Sequence, residues 1–195
     1  MWDCYTDIIF QCVSEDKANE VYDSLSIYNW CKEEISLREF LTRMDMTFDD
    51  ADDEYLGIIK FIDIDEKKIT ISVCTKHRPL VAMWFSIISK YWTGMISSFQ
   101  YVSKNDKTRK YLSNMSSYTE LYHIESEVGN EFFYGKPFKG EIKKTKLQRM
   151  IAEFLLNEDV YFEKTEISSL INELIYFDEK ISIFPFEHVQ SYTLI

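Results

Sequence analysis

Residues 55–75 read YLGIIKFIDIDEKKITISVCT. Two β-rich runs, YLGIIKFIDI (55–64) and ITISVCT (69–75), flank the polar connection DEKK (65–68). β-Branched and aromatic runs on either side of a short charged break predict a β-hairpin. Upstream, Trp2, Cys4, Thr6, Ile8, Phe10 and Cys12 alternate onto one face, as a half-buried strand requires. Ser14 then offers a helix N-cap, with Glu15 and Asp16 in the first turn, where the helix dipole favours anions. Ala18, Val21, Tyr22 and Leu25 keep helical spacing. A second helical piece starts at Ser36, where Ser36 and Glu39 match a capping box and Leu37, Phe40 and Leu41 supply the apolar face.

Downstream of the hairpin, Pro79 stands where a helix should begin. The run PLVAMWFSIISKYW (79–92) is apolar nearly all round, which predicts a buried helix. SSFQYVS (97–103) follows as a strand. The order over residues 2–103 is strand, helix in two pieces, strand, strand, helix, strand. That is the split βαβ, or ferredoxin-like, arrangement: a helix pair over one face of a four-stranded antiparallel sheet, in an α+β fold.

The remaining residues give TELYHIESEV (119–128) and NEFFYGKPFKGEI (130–142) as strands or a hairpin, with turns at Gly129-Asn130 and at Gly135 to Pro137. Residues 143–156 and 165–176 read as helices. Residues 180–194 read as extended, and Pro185 places them at a sheet edge or a break. The expected organisation is a ferredoxin-like domain over 1–104 and an α+β extension or second small lobe over 105–195.

With Trp2 and Cys4 near the start, a strand ending in Thr75 and a helix led by Pro79, residues 2–103 resemble ferredoxin-like domain proteins encoded by phages and plasmids. The resemblance implies a mobile-element origin and carries no molecular function with it.

Hydrophobic residues make up 46% of the chain and aromatics 16%, enough for a sizeable core. Five glycines and three prolines leave little material for a glycine-rich cofactor loop. The four cysteines (Cys4, Cys12, Cys31, Cys74) show no CxxC spacing and read as small buried thiols of a reduced protein. The longest apolar run, Leu80 to Phe85, is far below the roughly 20 residues of a membrane span. The start, MWDCYTD, carries two acids where a secretory leader would be basic. A cytoplasmic protein without a membrane contact is therefore expected. No cofactor motif and no metal-ligand spacing is evident, and the sequence is silent on oligomeric state.

Charge is layered along the chain. Residues 1–66 hold 18 acids and 5 bases, residues 67–149 hold 6 and 15, and residues 150–195 hold 9 and 2. The densest acidic stretch is MTFDDADDEY (46–55), with Asp49, Asp50, Asp52, Asp53 and Glu54. Counted as an EF-hand from Asp50, it has Tyr55 where glycine is needed and Phe61 where a bidentate glutamate is needed. It is either a solvated connection or an anionic surface that occupies Lys/Arg clusters as a row of phosphates would.

Two basic stretches compete with it. Lys76, His77 and Arg78 lie between a strand and a helix N-terminus, where backbone N–H groups attract anions. Lys104, Lys107, Arg109 and Lys110 lie near Tyr101 and Tyr111, a pattern suited to phosphates and stacked bases. No nucleophile, paired-carboxylate or phosphate-loop signature appears. The leading expectation is a non-enzymatic inhibitor of phage or mobile-element type that docks the acidic stretch on a basic protein partner in a nucleic-acid-handling host system. The alternative is a nucleic-acid or nucleotide binder using residues 67–149.

Overall fold

The alternation in the first strand carries straight into the structure. The computed structural model describes residues 3–26, 34–46, 57–76, 78–162 and 166–189. β1 (Cys4–Cys12) buries Cys4, Thr6, Ile8, Phe10 and Cys12, and turns Tyr5, Asp7 and Gln11 outward. In α1 (Glu15–Ser26), Ser14 accepts the Lys17 N–H on its Oγ (3.2 Å) and the Ala18 N–H on its carbonyl (3.0 Å). Ala18, Val21 and Leu25 are fully buried.

The capping box does not form. Ser36 ends β2 (Ile35–Ser36) and makes no side-chain cap bond to α2 (Leu37–Arg43). Its backbone is committed to the ladder, opposite Ile58, and Glu39 pairs with Arg43 instead. β3 (Gly57–Asp65) and β4 (Lys68–Thr75) form the expected hairpin. The connection is tighter than four residues, because Asp65 pairs with Lys68 and only Glu66 and Lys67 turn, Glu66 at φ 51°.

α3 (Val81–Tyr91) starts two residues after Pro79, with Leu80 as N-cap and its carbonyl accepting the Trp84 N–H (3.2 Å). It is also two-faced. Val81, Met83, Trp84, Ile87 and Ile88 are buried, while Ala82, Ser86 and Ser89 face solvent. Small residues on the outer stripe made the sequence look apolar all round. β5 (Ile96–Asn105) pairs with β1 and with β6 (Lys110–Ser113).

The chain divides into two compact units, Met1–Met115 with Val189–Ile195, and Ser116–His188. In the first, β5, β1, β4 and β3 are consecutive neighbours and every pairing is antiparallel. The sheet is larger than the four strands expected, since β2 and β6 extend it on either side. α1, α2 and α3 share one core with Ile8, Phe10, Ile69, Ile71, Val73 and Phe99. Phe10 sits at its centre, with ring centroids 5.7 Å from Trp92, 6.0 Å from Phe99 and 6.4 Å from Trp84.

The second unit opens on a 3-10 turn (Ser116–Tyr118). It has a three-stranded antiparallel sheet with β7 (Leu121–Ser126) between β8 (Phe138–Lys143) and β9 (Ile181–Pro185). Gly129 and Gly135 both adopt positive φ and bond to each other's turn, Gly129 N–H to Gly135 O at 3.0 Å. α4 (Lys144–Asn157) and α5 (Ile167–Phe177) bury Leu147, Ile151, Leu155, Leu170 and Leu174 against Ile124, Ile142, Ile181 and Ile183. Pro185 closes an edge strand, where a missing N–H breaks no ladder. The second unit ends on the two-residue strand β10 (Glu187–His188).

Candidate functional site

Strand pairing gathers charge that is scattered in the sequence. Cys4 opens β1 and pairs on one side with Thr75, the last residue of β4, and on the other with Asn105, the last residue of β5. Adjacent strands lie about 4.8 Å apart, so the loop after β4 and the turn after β5 leave the sheet about 10 Å from each other. The loop carries Lys76 and Arg78. The turn carries Lys107 and Arg109, with Lys104 and Lys110 on the strands that flank it. Six cations from two segments of the sequence therefore share one rim with Asp3 and Asp106. Asp3 threads between them: its N–H donates to Thr75 O (3.2 Å), its carbonyl accepts the Asp106 N–H (3.2 Å), and its Oδ2 lies 3.5 Å from Lys107 Nζ.

Both loops are braced the same way. Thr75, buried at the end of β4, donates its hydroxyl to Arg78 O (2.7 Å). Asn105, buried at the end of β5, accepts the Thr108 N–H on Oδ1 (2.9 Å). A side chain that hydrogen-bonds the backbone a few residues ahead holds a turn in one conformation. Arg109 then takes φ 53°, which turns the chain into β6.

Beneath the rim is a short chain of small polar groups. Thr6 donates to Ser103 Oγ (3.0 Å), and Cys4 Sγ lies 3.3 Å from the same oxygen. These buried groups satisfy one another, which is the condition for burying them cheaply. Burial pushes the Cys12 and Cys74 thiols above their ordinary range.

Of the predicted anion-binding residues, Lys76 and Arg78 stand on the rim, and His77 lies outside the described residues. Asp49, Asp50, Asp52, Asp53 and Glu54 lie outside them as well. The rim joins Lys76 and Arg78 to Lys104, Lys107, Arg109 and Lys110, which the sequence presents as two separate patches. The aromatic partners expected there are wrong: Tyr101 is 2% and Tyr111 1% exposed, so neither ring can stack on a base. Tyr101 falls on the helix side of β5, opposite Ile8 and 6.3 Å from the Phe99 ring. The threading by Asp3 leaves no pattern in the sequence, because it arises from strand register, whereas the braces from Thr75 and Asn105 are local contacts three residues long.

Two other places hold polar chemistry. On β7, His123 is 3% exposed, with Nδ1 3.4 Å from Glu141 Oε1 and Nε2 3.4 Å from Glu125 Oε1. Lys139 Nζ, 2.8 Å from Glu125, is the main cause holding the Glu125 carboxyl below the usual carboxylate range, with His123 adding to it. In the first unit a cavity of about 370 Å³ opens beside Trp92, bounded by Glu20, Arg43, Met44, Asp45 and Met95. The Trp92 indole N–H donates to Ser24 Oγ there (3.1 Å). Among the described residues no group of three or more His, Cys, Asp or Glu side chains is placed to hold a metal ion, and no helix is long and apolar enough to cross a membrane.

No protein-family model, curated protein or solved structure matches the chain.

Proposed function

We propose that this is a non-enzymatic binding protein that works through surface charge, and that the cationic rim of the first unit is its contact with a nucleic-acid phosphate backbone. The observation that carries the reading is the Thr75–Cys4–Asn105 pairing, which sets two braced basic loops side by side. Lys and Arg at fixed positions neutralise phosphates and release counterions, so affinity falls steeply with salt. Lys107 is 73% exposed and Lys110 is exposed, so both can reach a ligand. Replacing Lys76, Lys107 and Lys110 together with Glu should lower affinity for an oligonucleotide at least tenfold and flatten the salt dependence by about one unit of slope per lost contact. Filter binding over a salt series measures both. Failure to bind any oligonucleotide at low salt removes the reading.

The first unit's sheet fits an enlarged ferredoxin-like sheet. What supports this is the neighbour order β5-β1-β4-β3 with helical crossovers after β1 and β4, which is the order of a split βαβ pair.

A second reading is favoured by the 18 acids against 5 bases in residues 1–66. On it, the chain is a cytoplasmic inhibitor of phage or mobile-element type whose acidic stretch docks on a basic protein of a nucleic-acid-handling host system. Reversing Asp49, Asp50, Asp52, Asp53 and Glu54 to Lys should then abolish capture of that partner from the native host at low salt. Capture that survives the reversal rules it out.

A further inference from the structure

Resting on the nucleic-acid reading of the rim, we infer that the strand bound there is single, and that its bases stack on Tyr5 and Phe61 of the open sheet face. The sequence offered Tyr101 and Tyr111 as stacking partners, and both are buried. The register supplies others. Tyr5 points away from the helices, 48% exposed, between Cys74 on β4 and Lys104 on β5. Directly opposed side chains on a sheet have Cβ atoms about 5 Å apart, so the Tyr5 ring lies beside the innermost lysine of the rim.

Phe61 reaches the same face by a local irregularity. β3 pairs Ile59 with Val73 and Phe61 with Ser72, so Lys60 is an extra residue in the ladder. Strict alternation from the buried Ile59 would have turned Phe61 inward. The bulge turns it outward instead, 53% exposed, and returns Ile62 to the core side. A bulge is one way a sheet re-aims a single side chain, and bulges are frequent near sheet edges and functional sites. Phe61 stands two strands and two residues from Tyr5, about 12 Å away. Between them, Ser72 donates its hydroxyl to the Asp7 carboxylate, so that charge is engaged within the face.

An aromatic beside cations is the combination that grips single strands. The cations hold the backbone, and each exposed ring offers a face to an unstacked base. A duplex keeps its bases stacked inside and can use only the cations. The site therefore selects single-stranded DNA or RNA over duplex of the same length.

The test is fluorescence anisotropy with labelled oligo-dT, oligo-U and a DNA duplex of equal length, at low salt, on the full chain. Oligo-dT or oligo-U should bind more tightly than duplex. Tyr5→Ala should weaken single-strand binding about tenfold, and Phe61→Ala about fivefold, with duplex binding unmoved. Tyr5→Phe keeps the ring and should bind like the parent protein. Unchanged thermal melting of the variants separates lost stacking from lost folding. If duplex and single strand bind alike and Tyr5→Ala has no effect, the stacking inference is overturned while the rim reading stands. If neither binds, both fall.

Discussion

The two units place their aromatic residues in opposite ways. In the first, rings form the centre of the core, with Phe10 against Trp84, Trp92 and Phe99, and Phe40 stacked on Trp84 at 5.6 Å. In the second, the centre is aliphatic. The rings instead form a chain from Phe138 through Phe133, Phe132 and Phe154 to Phe177, which is 38% exposed. Cations pair with carboxylates in both units, Lys17 with Glu20 and Arg43 with Glu39 in the first. In the second unit Lys139 bonds Glu125, Lys180 Nζ bonds Gly129 O (2.8 Å) and Arg149 faces Glu153. In the first, cations from two loops converge at the end of the sheet. Both units lay helices over one sheet face, and the first adds a cluster of cations on two loops at one end of its sheet.

The contrast breaks most easily at Phe10. Phe10→Ala should cost about 3–5 kcal/mol, because it removes the ring that three others pack on. Hydrogen exchange should show the loss in β1, β4 and β5. Equal loss in β7 would mean that the two cores respond as one and that the division into units has no energetic meaning.

Asp178 probes closure in the second unit. Its buried carboxylate accepts the N–H groups of Glu131 (2.6 Å), Phe132 (3.4 Å) and Lys180 (3.2 Å). Asp178→Ala strands these donors and should cost about 2 kcal/mol in denaturant unfolding. A cost near zero would show that the loop closes without it.

The smallest effect is the acid response of Glu125. Its folded-state pKa is depressed, so its contribution to stability is complete above its ordinary value of about 4.5 and is lost as pH falls below that. Lys139→Met removes the main cause. It should lower stability at neutral pH by a few tenths of a kcal/mol, the size of a part-exposed ion pair, and shrink the further loss on acidification. An unchanged acid limb in the variant would place the cause elsewhere.

Local readings held where one residue type has one physical use. Ser14 caps α1 because its hydroxyl and carbonyl both meet orphan N–H groups. Alternation in β1 and the hairpin at 57–75 follow from burial on one face. Readings failed where a residue had two partners to choose from. Ser36 went to the ladder rather than to the cap, and Glu39 to Arg43. The outer stripe of α3 is not legible in the sequence because alanine and serine are small enough to sit on either side of a helix.

The hairpin at 57–75, the buried face of β1 and the uneven charge along the chain were determined by the sequence, since each depends on neighbours within a turn or a strand. Residues 131–135, read as strand or hairpin, are instead a run of turns before β8. The joining of residues 76–78 to 104–110, the burial of Tyr101 and Tyr111 and the outward turn of Phe61 were decided only by the tertiary structure. They depend on which strands pair and in what register, and pairing is set by the fit of the whole core under the helices, where residues far apart in the chain meet.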